Sequence, residues 1–301
     1  MFRMSGLTIQ VGVAVLCGIS VAALDASRVR QAALTFEDTR RPPLDVKETG
    51  RREQGTAVLR DVTYAMLDGT TRNAATIVEP KNESSGRRPA VLFVHWYGPP
   101  RPTSNRTQFI PDAVDLAGTG VVSLLIDTPW SDPEYFKKRK REEDYARSVQ
   151  QVKDLRRALD VLLAQPNLDP ARIAYVGHDF GAMYGSLAVA NDTRVRAFVF
   201  MAGAPSFSDW FLYGPAMPPD ARQKFIDQIA PLDPTRYLAR LDIPVLLQFA
   251  NTDEHVAKAR ADLVISSVRG PKDILFYDAG HELNEQATRD RIAWLKKQFA
   301  R

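Results

Sequence analysis

The sequence predicts an α/β fold, in which helices cover both faces of a mostly parallel sheet. Short apolar runs typical of buried strands recur along the chain, and amphipathic helical patterns separate them. One such run, residues 172–177, passes through a sharp turn into a helix that is rich in small residues. Strands that alternate with helices are joined by right-handed crossovers, which makes the strands parallel. With 301 residues, 45% of them hydrophobic, the chain can bury one large core.

The individual elements follow from periodicity and turn signals. Alternating runs on either side of Asp68-Gly69 predict an antiparallel hairpin that opens the sheet. Residues 204–240 break the rhythm with aromatic residues and prolines, and they predict a short cap over the carboxyl edge of the sheet, where such folds bind ligands. The predicted strands are 57–66, 74–78, 89–95, 121–127, 172–177, 195–201, 243–249 and 274–277. Outside the cap, helices are predicted at 112–117, 142–164, 256–267 and 282–299, in addition to the helix that follows the sharp turn.

The N-terminus has the pattern of a targeting segment. A short basic start at 1–6 precedes a charge-free and mostly apolar run at 7–24, which ends in small residues. We interpret residues 1–26 as a signal peptide or an N-terminal membrane anchor, since the apolar run approaches the length of about 20 residues that spans a bilayer. The protein is therefore expected to be exported, periplasmic or secreted, or anchored with its main domain facing outward. Residues 27–55 predict an irregular polar arm, and 56–301 the main domain.

Composition narrows the classes of partner. The net charge is 40 − 36 = +4 and is dispersed, which argues against nucleic-acid binding, so a small-molecule substrate is the expected partner. No Cys/His cluster has metal-ligand spacing and no glycine-rich phosphate loop follows a strand, so no metal and no cofactor is expected. The single cysteine, Cys17, lies in the N-terminal run, so the main domain can hold no disulfide.

Three polar residues follow three predicted strands. Asp179 lies in the turn after 172–177, Asp253 lies just beyond 243–249, and His281 lies just beyond 274–277. Because the carboxyl ends of parallel strands meet at one edge of a sheet, the three side chains are expected to converge there. Glu254 is the alternative acid to Asp253. Of the other histidines, His178 and His95 are expected to brace the structure and His255 to lie at the surface.

These residues resemble motifs of the α/β-hydrolase superfamily. Gly-His-Asp-Phe-Gly at 177–181 is similar to the nucleophile elbow, a strained turn that normally lifts a Ser above the sheet. The resemblance covers about 57–299 and is closest to the dienelactone-hydrolase-like branch, through Asp253-x-x-Val256 and Gly280-His281. It implies an α/β-hydrolase fold and a catalytic triad of Asp179, Asp253 and His281.

The resemblance also implies an oxyanion hole. Val-His-Trp-Tyr-Gly at 94–98 is similar to the loop that contributes a backbone N–H to this hole. The hole is therefore expected to consist of the N–H of Phe180 and that of Trp96 or Tyr97. Candidate pocket residues are Tyr184 on the helix after the turn and, in the cap, Trp210 and Tyr213. The candidate proton donors for the opening of a ring substrate are Tyr97, Tyr184 and Tyr213.

The turn departs from that branch, which carries Ser or Cys where this chain has Asp179. An Asp at this position resembles the elbows of epoxide hydrolases and of haloalkane and haloacid dehalogenases, although their His-Gly-x-Pro turn is absent here. A carboxylate that attacks an sp³ carbon forms an alkyl ester, which a His-activated water can hydrolyse. We therefore expect a hydrolase with Asp179 as nucleophile, His281 as base for water and Asp253 fixing the histidine tautomer.

The sequence leaves two alternatives open for the role of Asp179. In the first, Asp179 is an inactive replacement, forms an ion pair with His281 and leaves a binding pocket in a catalytically silent protein. In the second, the chain hydrolyses an ester or a lactone with Asp179 as a general base on water. A carboxylate attacking an acyl ester directly would give a mixed anhydride, a poor intermediate.

Overall fold

The computed structural model describes residues 36–82, 86–214 and 216–300. The predicted signal peptide or anchor at 1–26 lies outside these ranges, as does the first part of the predicted polar arm. Within the described ranges, no helix has both the length and the apolar character required to cross a bilayer.

The main domain is built on one twisted sheet. The strands of the described ranges are β1 Lys47–Gln54, β2 Ala57–Ala65, β3 Arg72–Pro80, β4 Arg88–Val94, β5 Val122–Ile126, β6 Leu168–His178, β7 Ala197–Met201, β8 Val245–Ala250 and β9 Lys272–Tyr277. Their spatial order is β1-β2-β3-β5-β4-β6-β7-β8-β9. The pairs from β1 to β3 and the pair β3–β5 are antiparallel, and all later pairs are parallel. The predicted α/β fold, with its opening hairpin, is confirmed.

Strand β1 corrects the prediction of an irregular arm for residues 47–54. Its side chains are almost all exposed and polar, so no apolar alternation marks it in the sequence. It is held by backbone pairing to β2 and by cross-strand ion pairs, such as Arg52 with Asp61 at 2.5 Å and Arg60 with Glu48 at 3.5 Å. A charged strand at the edge of a sheet also discourages pairing with other chains.

Helices cover the sheet and occupy the segment that was predicted to be a cap. They are α1 Ile110–Ala117, α2 Tyr135–Lys138, α3 Asp144–Leu163, α4 Phe180–Ala190, α5 Phe207–Phe211, α6 Pro219–Ile229, α7 Pro234–Leu238, α8 Lys258–Ser267 and α9 Glu285–Phe299. The segment predicted as a cap, 204–240, contains α5, α6 and α7 between β7 and β8. Helix α9 begins three residues later than predicted, because Asn284 caps it by accepting a hydrogen bond from the Ala287 N–H at 3.1 Å.

Small residues allow α4 to approach the sheet closely. A Cβ at Gly181 would lie 2.2 Å from the carbonyl oxygen of Val94, and one at Gly185 would lie 2.4 Å from the ring of Tyr175. Almost every residue of α4 is buried, so the helix lies at the centre of the domain rather than on its surface. This close contact brings the N-terminus of α4 next to the end of β4, and both segments border the turn at Asp179.

Candidate active site

Asp179 occupies a strained turn between β6 and α4. Its backbone has φ 53° and ψ −117°, and its N–H donates to the carbonyl oxygen of Met201 at 2.9 Å. A positive φ at a residue other than glycine costs on the order of 1–3 kcal/mol and persists where the surrounding structure enforces it. The residue has no accessible surface. The turn therefore holds a buried carboxylate at the carboxyl edge of the sheet.

The two oxygens of this carboxylate have different surroundings. Oδ2 accepts a hydrogen bond from the Tyr97 N–H at 3.1 Å, whereas Oδ1 has no hydrogen-bond partner. The N–H of Phe180 also lies near the carboxylate and favours its charged form. The other candidate N–H, that of Trp96, donates to Oε1 of Gln108 at 2.9 Å. Of the predicted oxyanion-hole donors, Tyr97 and Phe180 thus face Asp179, and Trp96 is engaged elsewhere.

Burial raises the pKa of Asp179 to about 6 from its usual 3.8. Removal from water disfavours the charged form, and the nearby Asp253 acts in the same direction. The positive charge that His281 can carry and the N–H groups of Tyr97 and Phe180 act against this rise. Above about pH 6, Asp179 is therefore an ionised carboxylate with one oxygen that lacks a partner.

Asp253 and His281 form a buried hydrogen-bonded pair. Nδ1 of His281 lies 3.1 and 3.0 Å from the two carboxylate oxygens of Asp253, which also accepts the N–H groups of His255 and Val256 at 2.8 Å. Glu254, the alternative acid, accepts the backbone N–H of His281 rather than a ring N–H of that residue. Asp253 is therefore the carboxylate that contacts the imidazole.

The far side of the imidazole has no partner. Nε2 of His281 is buried without a hydrogen bond, as Oδ1 of Asp179 is. Within the described ranges the ion-pair partner of His281 is Asp253, and no ion pair joins it to Asp179. With the proton held on Nδ1 by Asp253, the lone pair of Nε2 is left free to accept a proton. An unpartnered base and an unpartnered carboxylate oxygen thus lie in the same buried site.

The pKa values of the pair shift in opposite directions. Burial opposes the charged form of His281, but the bond to Asp253 and the negative charges of Asp179 and Asp253 outweigh it, so the pKa of His281 is raised. Burial likewise opposes the charged form of Asp253, but the hydrogen bond and charge of His281 and the two backbone N–H groups lower the pKa of Asp253 overall. Each residue therefore favours the charged form of the other.

A hydrogen-bond chain through Gln108 links the three loops of the site. Trp96 N–H donates to Gln108 Oε1, Gln108 Nε2 lies 2.6 Å from His178 Nδ1, and His178 Nε2 lies 2.9 Å from the carbonyl oxygen of His281. The His178 ring also stacks on Trp96 with centroids 5.1 Å apart, and burial lowers its pKa well below 6.5. His178 thus has the bracing position that was predicted. Gln108 was missed, because no motif in the sequence marks it.

His95 also braces the loop at 94–98. Its Nδ1 lies 2.7 Å from the carbonyl oxygen of Trp96, and its Nε2 lies 2.9 Å from the hydroxyl of Thr128 and 2.8 Å from that of Ser131. Burial lowers the pKa of His95 to about 4, so the ring is neutral. A neutral ring with all of its polar atoms bonded holds the backbone of this loop in place.

Rings from the cap cover the imidazole. The centroid of Trp210 lies 5.7 Å from that of His281, and His255, although exposed, packs against both rings at 5.1 and 5.0 Å. His281 keeps only 2% of its surface exposed. Tyr213, by contrast, is 72% exposed beside Trp210 and His255. Trp210 and His255 therefore cover the imidazole in this structure.

The hydroxyl groups of two predicted proton donors, Tyr184 and Tyr97, have partners outside the site. Tyr184 shares a hydrogen bond with Ser148 at 2.9 Å, and Tyr97 donates to the carbonyl oxygen of Pro133 at 3.2 Å. Their rings instead belong to an aromatic cluster that surrounds Phe180. The rings whose centroids lie within 6.4 Å of that of Phe180 are Tyr97, Trp130, Tyr135, Phe136, Tyr184, Trp210 and Phe211.

Trp130, Tyr135 and Phe136 were missed from the sequence. Their position in the chain could have indicated them, because they follow β5, and the residues after each parallel strand lie at the same edge of the sheet.

Across the described ranges, no three His, Cys, Asp or Glu side chains are grouped so that they could hold a metal ion.

The sheet order, the strained turn with its acidic residue and the Asp–His pair on neighbouring loops define an α/β-hydrolase-fold protein. Residues 91–293 match the alpha/beta hydrolase family, and the chain therefore belongs to that family and is a hydrolase. No curated protein matches the chain in sequence.

Solved structures with the same fold include esterases. An acetyl xylan esterase from Paenibacillus sp. R4 is 18% identical with a TM-score of 0.71, over 85% of this chain and 89% of its own. Acetyl xylan esterase 1 from Thermoanaerobacterium sp. JW/SL YS485 is 17% identical with a TM-score of 0.68, over 86% and 89%. A provisionally assigned dienelactone hydrolase from Klebsiella pneumoniae subsp. pneumoniae MGH 78578 is 16% identical with a TM-score of 0.58, over 81% and 99%. At these identities the similarity shows the fold alone.

Proposed function

We propose that this hydrolase cleaves a small organic substrate at an electrophilic sp³ carbon, such as an alkyl halide or an epoxide, with Asp179 as the nucleophile. The observation that carries the proposal is the asymmetry of the Asp179 carboxylate. Oδ2 accepts the Tyr97 N–H, while Oδ1 is unpartnered in the same site as the unpartnered Nε2 of His281. A nucleophile of this kind needs one oxygen free to attack and the other held by N–H donors.

The chemistry has two steps. Oδ1 attacks the carbon, the bond to the halide or epoxide oxygen breaks with its electron pair, and an alkyl ester of Asp179 forms. Nε2 of His281 then takes a proton from water, and the hydroxide adds to the ester carbonyl carbon of Asp179. Negative charge develops on Oδ2, where the N–H of Tyr97 stabilises it. The N–H of Phe180 also favours negative charge on this carboxyl group. As this intermediate collapses, the bond between the ester carbonyl carbon and Oδ1 breaks, and Nε2 of His281 gives its proton to the departing oxygen. The alcohol leaves, and the Asp179 carboxyl group loses a proton to solvent and becomes a carboxylate again.

The same geometry disfavours ester or lactone hydrolysis with Asp179 as a general base. In that reaction the oxyanion hole must receive the carbonyl oxygen of the substrate. Here the Tyr97 N–H is already occupied by Oδ2 of Asp179, and the Trp96 N–H by Gln108. An acyl substrate would therefore have to displace the carboxylate from its hydrogen bond before it could be activated.

The catalytically silent alternative also lacks support. It requires Asp179 to be neutralised by an ion pair with His281, and His281 instead pairs with Asp253. A silent protein also has no need to keep an unpartnered carboxylate oxygen and an unpartnered imidazole nitrogen buried, because each costs about 1–3 kcal/mol. A functional site explains why these costs are tolerated.

The proposal extends to substrate size, subfamily and location. Asp179 is fully buried among aromatic rings, which favours a small and mainly apolar substrate. The loops that carry Asp253 and His281 favour the dienelactone-hydrolase-like branch of the family. The pattern of residues 1–26 favours export or a membrane tether, with the hydrolase domain facing outward.

Single-turnover hydrolysis in ¹⁸O-labelled water tests the mechanism. With excess enzyme and a panel of small haloalkanes and epoxides, label is expected in the peptide that contains Asp179, because water attacks the enzyme ester. His281→Gln is expected to accumulate the alkyl ester, seen as a mass increase of the intact protein. Asp179→Asn is the matched control, in which neither signal appears at first turnover.

The alternatives give different results in the same experiment. Label confined to the product, with ester substrates turned over and no adduct in His281→Gln, would favour the general-base mechanism. Absence of turnover and of adducts across haloalkanes, epoxides, esters and lactones would contradict the proposal and favour the silent protein.

A further inference from the structure

A cavity that is not lined by Asp179, Asp253 or His281 lies next to the aromatic cluster around Phe180. It has a volume of about 160 Å³ and lies between the 3₁₀ turn Pro129–Ser131, α2, α3 and α4. A cavity of about 150 Å³ is large enough for a benzene ring. Its lining residues are Pro129, Trp130, Tyr135, Arg147, Gln150, Gln151, Asp154 and Tyr184.

Asp154 contributes a carboxylate without a cationic partner. Its Oδ1 accepts a hydrogen bond from Gln150 at 2.9 Å, and no Lys, Arg or His of the described ranges forms an ion pair with it. Lys153, the adjacent residue in the chain, forms its ion pair with Asp38 at 3.9 Å. Burial raises the pKa of Asp154 to about 6, and the hydrogen bond from Gln150 and the charge of Lys153 offset this rise only in part.

Gln151 adds an unpartnered acceptor to the same cavity. The residue is only 5% exposed, and its Oε1 has no hydrogen bond. Buried amide oxygens are rarely left without a partner unless water or a ligand supplies one. The one cationic residue of the lining, Arg147, is directed to Glu143, with contacts of 2.7 and 2.5 Å. The cavity therefore offers two acceptor groups: Oε1 of Gln151, which has no partner, and the carboxylate of Asp154, which has a hydrogen bond from Gln150 but no ion-pair partner.

Aromatic carbon forms the other walls. Trp130 and Tyr184 are stacked with centroids 5.3 Å apart, and Tyr135 completes this side. Aromatic walls together with a carboxylate are a favourable environment for organic cations. Neither Asp179 nor His281 lines the cavity, since Trp130 and Tyr184 lie between it and Phe180.

We propose that this cavity is a binding site for a small organic ammonium ion of about one ring in size. Its N–H groups would donate to the carboxylate of Asp154 and to Oε1 of Gln151. Its carbon atoms would pack against Trp130, Tyr135 and Tyr184. The site is separate from the catalytic one, and its existence does not depend on the proposed reaction of Asp179.

Calorimetric titration of the full-length protein with benzylamine at pH 7.5 tests the site, with benzyl alcohol as a neutral probe of nearly equal shape. Benzylamine is expected to bind at least about tenfold more tightly than benzyl alcohol, because hydrogen bonds to a charged group are the stronger ones. Asp154→Asn is expected to remove this preference while leaving the affinity for benzyl alcohol unchanged. Gln151→Met is expected to weaken benzylamine binding as well. This second variant tests the site if Asp154→Asn does not fold.

Two carboxylate variants are matched controls. Asp160→Asn alters another acid of α3, which pairs with Arg194 outside the cavity, and it is expected to leave benzylamine binding unchanged. Asp179→Asn is expected to bind benzylamine normally, which distinguishes this site from the catalytic one. Absence of benzylamine binding, equal affinity for the two probes, or loss of binding in Asp179→Asn but not in Asp154→Asn would each overturn the proposal.

Discussion

Replacing Asp179 by Asn is expected to make the protein more stable at alkaline pH, even though it removes the proposed nucleophile. The ionised carboxylate is fully buried, and its Oδ1 has no partner. Asn keeps the shape of the side chain and can still accept the Tyr97 N–H through its amide oxygen. It carries no charge, so the cost of keeping a charge away from water disappears.

The magnitude follows from the pKa of Asp179, about 6 in the folded protein against 3.8 for a free side chain. That difference corresponds to about 3 kcal/mol. Because the folded state binds the proton more tightly, this residue lowers the free energy of unfolding as pH rises from about 4 to about 6, and the full cost remains above that range. The new amide N–H group lacks an acceptor, which reduces the expected gain to about 1–3 kcal/mol.

Urea unfolding of the wild type and of Asp179→Asn at pH 8 and pH 4 measures this difference. The gain is expected at pH 8 and should be nearly absent at pH 4, where the wild-type carboxyl is protonated. Asp253→Asn is the control with the opposite sign, because the folded state lowers the pKa of Asp253 and that variant should be less stable at pH 8. A loss of stability in Asp179→Asn at pH 8 would refute the reasoning and indicate that a cation pairs with Asp179. A gain that does not change with pH would also refute it, because such a gain could not arise from the charge of the carboxylate.

Three further predictions follow from the site and the fold. On a substrate identified by the labelling experiment, kcat/KM should fall as pH drops through the raised pKa of His281, which must be neutral, and should fall further below about pH 6, where Asp179 becomes protonated. A flat profile between pH 5 and 8 would contradict this assignment. Gln108→Leu should lower kcat about 10- to 100-fold and change KM by less than about threefold, because it breaks the hydrogen bonds that hold the loops with the N–H donors in place. Equal changes in kcat and KM would indicate lost substrate binding instead. Gly181→Ala should lower the free energy of unfolding, measured in urea, by more than about 3 kcal/mol, because the new Cβ would collide with the backbone of β4. In the control Gly50→Ala, the new Cβ makes only ordinary contacts, and stability should change by less than about 1 kcal/mol. Similar losses in the two variants would mean that α4 can shift.

Periodicity was sufficient to predict most of the fold. The buried parallel strands are continuous apolar runs, so β4, β5, β7 and β8 were predicted within a few residues of their bounds. Strand β1 was not predicted, because an edge strand held by backbone pairing and exposed charges needs no apolar alternation. Sequence patterns record which face of an element is buried, and β1 has no buried face.

The same limit applies to the site. The positions of Asp179, Asp253 and His281 after their strands, together with strand order, were enough to predict that they lie at one edge of the sheet. Which backbone N–H faces the carboxylate depends on hydrogen bonds that Gln108 makes across the fold, and no local pattern encodes them. Which of Asp253 and Glu254 is the acid likewise depends on a contact with the imidazole of His281, which lies 28 residues from Asp253 in the chain.

The sequence by itself determined the fold class, the order of the three polar residues and the presence of an acid on the strained turn, because each of these depends on local periodicity or on chain order. Tertiary structure alone decided the state of that acid. Its burial, its bond to the Tyr97 N–H and its unpartnered oxygen arise where β4, β6 and α4 pack together, and these contacts set its pKa near 6. The electrostatics of a side chain depend on every group around it, and those groups are brought together only by folding.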